Sequence, residues 1–418
     1  MMEPYNLIVA GGGLSGVAAA VSAAREGFRV LLLEKNGCLG GAMSNNLVYP
    51  FMKYWTTNLT DDTKQYLSAG IFAEMREKAQ QFDVSYSDTA FDPEYFKLVL
   101  DDMMAASGAH VLFHSVVCEV QTENNHIKSV CALTPSGVLH FTADFFIDAT
   151  GNGDLFALAG CDFQLGRERD GLCQPMTTCF RLSGVDTALY QKERHLLQEQ
   201  YRKAQLEGNI TNPREDILTF QGIGNGILHF NTTRIIKRNP TNVFDLSAAE
   251  TEARRQVFEM VRFLKKHSKA FANSTIISIA SEIGVRESRK LKGVHILTQE
   301  ELKNSVDFKD TIALGNYDID IHNPEGAGTS HYYFKDGQYY KIPYRALLPK
   351  EYDNLLVAGR CISATHEAQA SIRIMPICAC LGEAAGIAAV VAYHSGKSAH
   401  TVDVNAVRKK LRENGAAL

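Results

Sequence analysis

The feature that most constrains this chain is a glycine-rich turn near its beginning. Residues 5–10, YNLIVA, have the composition of a buried strand, and the turn GGGLSG follows at 11–16. The Ala-rich segment after the turn is typical of a helix, and FRVLLLE at 28–34 is typical of a second strand. The pattern Gly-x-Gly-x-x-Gly between a strand and a helix predicts a βαβ unit. The chain is therefore expected to be an α/β protein with a Rossmann-like parallel sheet.

Each glycine of the turn has its own expected role in binding a dinucleotide. Gly11 allows the tight turn, Gly13 lets a pyrophosphate approach the backbone, and Gly16 lets the helix pack closely on the strand. The free N–H groups at the helix N-terminus attract phosphate. Glu34 ends the second strand, where its carboxylate suits a ribose diol. These features predict either NAD or FAD.

Three later segments favour FAD over NAD. CLGGAMS at 38–44 and DATGNGD at 148–154 each offer glycines that let backbone come close to a ligand. The strand-like NLLVAG ends on Gly359, and a helix rich in small residues is predicted after Pro376. The N-terminus of that helix can face the flavin edge that is negative after reduction. NAD needs no element so late in the chain, whereas the longer FAD does.

These segments together resemble a known family. VAGGGLSG, LLLEKNGCLGG, FIDATGNGDLFALAG, IGVRESRKL, IPYRALLP and NLLVAGRCISATHEA are similar to FAD-dependent oxidoreductases with a glutathione-reductase-type FAD domain. A more distant similarity is to the heterodisulfide reductases. The resemblance implies a non-covalently bound FAD, with Glu34 on the adenosine ribose and the backbone of Val117 against adenine. The expected cofactor contacts are Gly11, Gly13, Leu14, Ser15, Gly16, Glu34, Lys35, Gly40, Gly41, Ala42, Met43, Ser44, Val117, Ala149, Thr150, Gly151, Asp154, Gly359, Arg360, Ile374 and Met375.

The order of segments predicts two domains, as expected for 418 residues. Alternating apolar and polar segments between 110 and 150 indicate a β-meander attached to the main sheet. Residues 166–344 mix short strands with charged helices and Gly-rich loops. We therefore expect a FAD-binding domain built from 1–165 and 345–418, with an α+β substrate or cap domain inserted at 166–344.

Four residues are candidates for the chemistry. Arg286 lies in GVRESRK and Arg234 in FNTTR, and a guanidinium can bind a carboxylate through two hydrogen bonds. His366 precedes the predicted flavin-facing helix, where it could act as an acid or base, and Arg373 lies near that helix's start. Each also has an ordinary explanation: a solvated charge, a cross-strand pair, or a loop histidine bonded to backbone.

Composition excludes several classes of partner. The net charge is −4, and no basic cluster with interleaved aromatics points to nucleic acid. Nine scattered cysteines without a CxxC pair argue against a metal or iron–sulfur site and suggest reduced thiols in a cytoplasm. The apolar run 376–393 contains a glutamate and two glycines, which favours a buried helix over a membrane insertion. A homo-oligomer is left open.

The arginines favour a small-molecule substrate that is anionic. The expected function is hydride transfer between bound flavin and that substrate, with an unidentified electron donor or acceptor. Two alternatives remain open at this point: a flavin-dependent monooxygenase or hydroxylase, and a non-catalytic electron-transfer subunit of a larger redox complex.

Overall fold

The computed structural model describes residues 3–82, 87–222 and 224–418. The strands of these residues are β1 Tyr5–Ala10, β2 Val30–Leu33, β3 Trp55–Thr57, β4 Lys64–Tyr66, β5 His110–Leu112, β6 Val116–Glu123, β7 His126–Thr134, β8 Gly137–Asp148, β9 Phe163–Leu165, β10 Phe180–Ser183, β11 Thr219–Gln221, β12 Leu228–Phe230, β13 Thr275–Ile279, β14 Arg289–Leu291, β15 Thr311–Gly315, β16 Ile319–His322, β17 Thr329–Tyr332, β18 Tyr340–Pro343 and β19 Leu355–Val357. The helices are α1 Leu14–Arg25, α2 Ile71–Gln80, α3 Pro93–Ser107, α4 Asp154–Leu158, α5 Thr187–Leu206, α6 Val243–His267, α7 Gln299–Lys303, α8 His366–Ile372, α9 Met375–His394 and α10 Val404–Glu413.

The main sheet has the mixed order β5-β2-β1-β8-β7-β6, and β19 also pairs with β8. β1 is parallel to β2 and β8, and β19 is parallel to β8. The first half of β8 instead pairs antiparallel with β7, which forms the predicted meander with β6. One long strand therefore joins the meander to the parallel sheet, and the expected α/β fold with a Rossmann-like core is confirmed.

The register of the parallel strands brings distant segments to one edge of the sheet. Ala10 pairs with Asp148, and Val357 pairs with Asp148 from the other side. The three strands therefore end level, although β19 lies more than 300 residues after β1 in the chain. Ligands of open α/β sheets bind outside the carboxyl ends of such strands. The turns that begin at Gly11, Ala149 and Ala358 consequently surround one place.

Helices α1 and α9 lie in close contact beneath that edge. A Cβ atom added at Gly382 would meet the carbonyl oxygen of Ser15 at 1.9 Å, and one at Gly386 would meet that of Ala19 at 2.4 Å. Only glycine permits this approach. Within the described residues, α9 is a helix long and apolar enough to cross a membrane, but 83% of its apolar window is buried inside the protein.

The inserted region has a hydrophobic core of its own. Strands β11, β12, β10 and β13 form an antiparallel sheet in that order, covered by α5 and α6. The buried residues of this second core lie between Phe180 and Phe271. Residues from Leu291 to Ile342 pack instead with the main core. The boundary at residue 344 stays a prediction.

A buried carboxyl group lies where α9 meets the start of α2. Glu383 is 1% exposed, and its Oε2 accepts a hydrogen bond from the backbone N–H of Ile71. Burial raises the pKa of Glu383 to about 7. Since this pKa is raised in the folded state, its contribution to stability is full below about pH 4.5 and is lost as pH rises through about 7.

We expect Glu383→Gln to raise the free energy of unfolding at pH 8, because the uncharged amide can accept the same bond without the cost of burying a charge. The gain is at most about 3 kcal/mol, since one pKa unit corresponds to about 1.4 kcal/mol. The matched control is Glu74→Gln, because Arg25 holds the pKa of Glu74 below its usual range. That control should lower stability at pH 8. Thermal unfolding of both variants at pH 5.5 and 8 measures the two changes in stability. The prediction is wrong if Glu383→Gln and Glu74→Gln change the stability at pH 8 in the same direction.

Candidate active site

A long cleft runs along the carboxyl edge of the main sheet. We call it the cofactor cleft, and it encloses about 1070 Å³ including space open to solvent. It is lined by Gly11, Gly13, Leu14, Ser15, Glu34, Lys35, Asn36, Gly40, Gly41, Ala42, Asn46, Ala149, Thr150, Gly151, Asn152, Leu246, Glu250, Glu282, Ile283, Val285, Gly359, Arg360, Arg373, Met375 and Cys378. The lining extends from Glu34, next to the end of β2, to Met375 at the start of α9, so the cleft suits a long ligand.

Two glycines of the glycine-rich turn have different surroundings: Gly16 allows close packing, and Gly13 leaves space for a ligand. A Cβ atom at Gly16 would meet the carbonyl oxygen of Gly11 at 1.8 Å, so Gly16 serves close packing. A Cβ atom at Gly13 would meet no atom of the described residues within 4 Å. Gly13 is also the N-cap of α1, and no side chain caps the helix there. The start of α1 is therefore open to a phosphate group on the side of Gly13.

The hydroxyl group of Ser15 is a second feature that suits a bound phosphate. This hydroxyl is buried and has no hydrogen-bond partner in the described part of the chain. A buried hydroxyl without a partner is costly, and a phosphate oxygen would satisfy it. Together with the open space at Gly13, this orphaned group fits a pyrophosphate in the cofactor cleft.

The segment 148–154 is shaped by one buried carboxylate. Oδ1 of Asp148 accepts hydrogen bonds from the backbone N–H and the hydroxyl of Thr150, and Oδ2 accepts one from the N–H of Phe156. Burial raises the pKa of Asp148 to about 6. These bonds fix the loop that presents Gly151 to the cleft, where a Cβ atom would lie 3.1 Å from the guanidinium of Arg360.

The cofactor cleft opens into a second cavity between the sheet edge and the inserted region. This inner cavity encloses about 870 Å³ including space open to solvent. Both spaces are lined by Ala42, Asn46, Val285, Arg360, Arg373 and Met375, so they are continuous. The first turn of α9 lies at the junction, and within the described residues no side chain caps that helix. Its positive end therefore faces the place where a flavin ring would follow the ribityl chain.

Arg286 carries an unbalanced positive charge into the inner cavity. Its Nη1 donates to the carbonyl of Pro175 and to the hydroxyl of Thr177, and its Nη2 donates to Asn231 at 3.4 Å. All three partners are neutral, and among the described residues no carboxylate lies within ion-pair distance of Arg286. Burial and repulsion from Arg373 lower the pKa of Arg286 to about 9. A half-buried cation that lacks a charged partner among the described residues suits an anionic ligand.

A second polar group of the inner cavity comes from strand β16. Oδ2 of Asp320 accepts from the hydroxyl of Tyr317 at 3.0 Å and from Arg373 at 3.5 Å, and it lies 3.3 Å from Nε2 of His322. Burial lowers the pKa of His322 well below its usual value, and the nearby Arg286 lowers it further. The imidazole is therefore neutral at physiological pH.

Most residues predicted from sequence line these two spaces. In the cofactor cleft they are Gly11, Gly13, Leu14, Ser15, Glu34, Lys35, Gly40, Gly41, Ala42, Ala149, Thr150, Gly151, Gly359, Arg360, Arg373 and Met375. Ile374 and Arg286 line the inner cavity. Their contact with a cofactor or substrate stays a prediction, but the fold brings them together as expected.

Five predicted cofactor contacts lie outside the described lining of the cleft. Gly16 packs on Gly11, Met43 is fully buried, and the hydroxyl of Ser44 donates to the carbonyl of Leu39. Asp154 forms an ion pair with Arg289, and Val117 lies within β6 of the meander. Packing and local interactions occupy several of these side chains, and the contact of all five residues with a cofactor stays a prediction.

His366 does not face the inner cavity, contrary to expectation. Its Nδ1 lies 2.8 Å from Oε2 of Glu287, a fully buried carboxylate that also pairs with Lys290. His366 lines a separate surface cleft together with Ile321 and Asn323. The hydrogen bond with Glu287 holds the imidazole at this surface cleft, and the expected acid–base role of His366 stays a prediction.

Arg234 is likewise not part of the cavity lining. It is 1% exposed and donates to the carbonyls of Gly326 and Gly328 and to Nδ1 of His322. The sequence identified Arg234 as a candidate but did not identify His322, to which Arg234 donates a hydrogen bond. The signal was the pair Asp320-x-His322 in β16, whose alternation places both polar residues on one face of a short strand.

Comparison with known proteins identifies the family. The model of the family described as FAD dependent oxidoreductase matches residues 6–411. A curated relative, the carotenoid phi-ring synthase of Streptomyces griseus, is 41% identical over 69 residues. That match covers 16% of this chain and spans only 12% of the relative's length.

Solved structures resemble the chain over most of its length. A geranylgeranyl bacteriochlorophyll reductase-like protein from Thermoplasma acidophilum matches with a TM-score of 0.49 and 14% identity, covering 99% of this chain and 84% of that one. L-proline dehydrogenase from P. horikoshii matches with a TM-score of 0.47 and 12% identity over 100% of both chains. At these identities the matches say nothing about a substrate.

Proposed function

The chain belongs to the family of FAD-dependent oxidoreductases, and from that premise we propose that it exchanges a hydride between bound FAD and a small organic anion. FAD is the cofactor that the family implies, and it supplies the hydride chemistry when bound. The protein's own part is to hold the cofactor, orient the substrate and exclude water.

The geometry of the cofactor cleft supports one way of holding FAD. The N-terminus of α1, with Gly13 and Ser15, would bind the pyrophosphate. Glu34 would face the adenosine ribose, although its Oε2 also accepts a hydrogen bond from the N–H of Gly12 at 2.5 Å. Arg360 would face the ribityl-phosphate portion, since its Nη2 donates only to the neutral Asn152 and its Nε is buried without a partner among the described residues.

The observation that carries the proposed substrate class is the unpaired guanidinium of Arg286. Arg360 lies at the junction and is left for the cofactor, and Arg373 is paired with Asp320. Arg286 is then the cation available to a substrate in the inner cavity. A carboxylate bonded to it would lose little to solvent screening, because the site is buried.

The first test uses the purified protein with its flavin. We expect the oxidised FAD spectrum, and anaerobic bleaching of that spectrum by members of a panel of small carboxylic acids but not by the corresponding amides. Bleaching by amides and acids alike would contradict the anionic substrate. Protein that stays colourless and takes up no added FAD would contradict the proposed function as a whole.

The same preparation separates the two alternatives. NADH consumption coupled to oxygen uptake and to a hydroxylated product would identify a hydroxylase. Rapid reduction only in the presence of a second protein would identify an electron-transfer subunit.

A further inference from the structure

Among the described residues that line the inner cavity, Asp320 is the one that carries a carboxylate. Its Oδ2 already accepts from Tyr317 and Arg373. Its Oδ1 is buried and has no hydrogen-bond partner in residues 3–82, 87–222 and 224–418. A carboxylate can accept about four hydrogen bonds. Asp320 therefore retains accepting capacity that the surrounding protein does not use.

The position of Asp320 is fixed by a hydrogen-bonded series that begins at Arg234. Nη2 of Arg234 donates to Nδ1 of His322 at 3.1 Å. Because a guanidinium only donates, Nδ1 must be the unprotonated nitrogen, and Nε2 carries the proton. That Nε2–H lies 3.3 Å from Oδ2 of Asp320 and donates toward it. Arg234 thus selects the tautomer of His322 that supports the carboxylate.

Arg234 itself is held rigidly by the turn of a hairpin. Its Nη1 donates to the carbonyls of Gly326 and Gly328, which lie between β16 and β17, at 3.1 and 3.0 Å. Glu215 lies 3.2 Å from the same nitrogen and balances the charge. Any movement of the hairpin would therefore move His322 and Asp320 together.

The charges around this series favour a neutral hydrogen-bond donor on the ligand. Arg234, Arg286 and Arg373 approach His322 from three different elements, and Asp320 is the carboxylate next to it. His331 on β17 lies 3.7 Å from Oδ1 of Asp320. An ammonium group would meet repulsion from the guanidiniums, whereas a hydroxyl group would not.

We propose that the substrate is a hydroxy acid, with its carboxylate on Arg286 and its neighbouring hydroxyl donating to Asp320. The proposal rests on the proposed function, because Arg286 must hold the carboxylate for Asp320 to meet the hydroxyl. Asp320 is then a specificity-determining residue, and His322 and Arg234 are positioning residues. A hydrogen bond to a charged group contributes enough to discriminate ligands by about 10- to 100-fold.

The test measures affinity without turnover. FAD-loaded protein is first reduced with dithionite, so that a hydroxy acid cannot be oxidised, and binding is followed by equilibrium dialysis. Two series are compared: propionate, lactate and alanine, and 3-phenylpropionate, phenyllactate and phenylalanine. In at least one series the hydroxy acid should bind about 10-fold or more tightly than the acid without the hydroxyl.

The outcomes separate this inference from the proposed function. Equal affinity for the hydroxy acid and its deoxy analogue, or preference for the amino acid, overturns the hydroxy-acid inference while the anionic site stands. Absence of binding by all six acids overturns both. In Asp320→Ala the preference for the hydroxyl should vanish, since the hydroxy acid and its deoxy analogue would lack the same carboxylate and meet the same freed Arg373. The matched control Asp318→Ala, two residues before Asp320 and outside the cavity lining, should keep the preference.

Nitrogen-15 NMR of the histidines tests the positioning role independently of any ligand. The signal that disappears in His322→Asn identifies His322, and at pH 7 it should report the neutral Nε2–H tautomer. Arg234→Leu should convert it to a mixture of tautomers, and it should weaken the preference for the hydroxyl. An imidazolium signal in the unaltered protein, or an unchanged signal in Arg234→Leu, would overturn the role of Arg234.

Discussion

Arg286→Met is expected to weaken the binding of small carboxylates by about 100-fold or more, while the protein remains folded and yellow. The guanidinium of Arg286 is bonded only to neutral groups among the described residues, so a bound carboxylate is the partner it lacks. Removing one member of a buried charge pair typically costs about 2–5 kcal/mol. Methionine has much of the volume of arginine but carries no charge, so a loss of affinity reports the loss of the positive charge.

The same substitution should leave the ligand-free protein no less stable, because replacing a buried, uncompensated charge by an apolar side chain is often neutral or stabilising. The matched control is Arg181→Met, since Arg181 is a partly buried arginine on β10 outside the cavity lining, and burial lowers its pKa too. Equal loss of affinity in both variants would show that total charge, and not the site, attracts the anion.

Gly13→Ala is expected to lower FAD affinity by about 10- to 100-fold with little change in the stability of the protein freed of FAD. A Cβ atom at Gly13 meets no protein atom within 4 Å, and the backbone there has φ −66° and ψ 176°, which alanine adopts readily. The methyl group would project into the space reserved for the pyrophosphate. Fluorescence titration with FAD and thermal unfolding without FAD measure the two quantities separately.

Gly16→Ala is the matched comparison, three residues along the same helix. Its Cβ atom would overlap the carbonyl oxygen of Gly11 at 1.8 Å, so the sheet and α1 must separate. The loss of stability should be about 3 kcal/mol or more, or folding should fail. If Gly13→Ala proved as destabilising as Gly16→Ala, the open space at Gly13 would not be a ligand site.

Much of the cofactor cleft could be predicted because its parts are local. The turn at Gly11–Gly16 needs only the strand before it and the helix after it, and both follow from short-range patterns. A strand ending at Gly359 and a helix beginning at Pro376 were predicted for the same reason, and the structure has β19 ending at Val357 and α9 beginning at Met375. The surroundings of Val117 and Asp154 come from strand pairing and from an ion pair, which sequence spacing does not reveal, and their contact with FAD stays a prediction.

The amino-acid sequence alone determined the α/β fold and the choice of FAD, because glycine patterns and chain-end segments act through local backbone geometry. Only the tertiary structure decided which polar residues share the inner cavity. His366 is hydrogen-bonded to the buried Glu287 outside the inner cavity, whereas His322 lines the cavity because side chains alternate along β16. Arg286 and Arg234 look alike in sequence, but among the described residues Arg286 has no carboxylate partner, whereas Arg234 is buried against His322. Burial and long-range contacts, which no local pattern encodes, assign their roles.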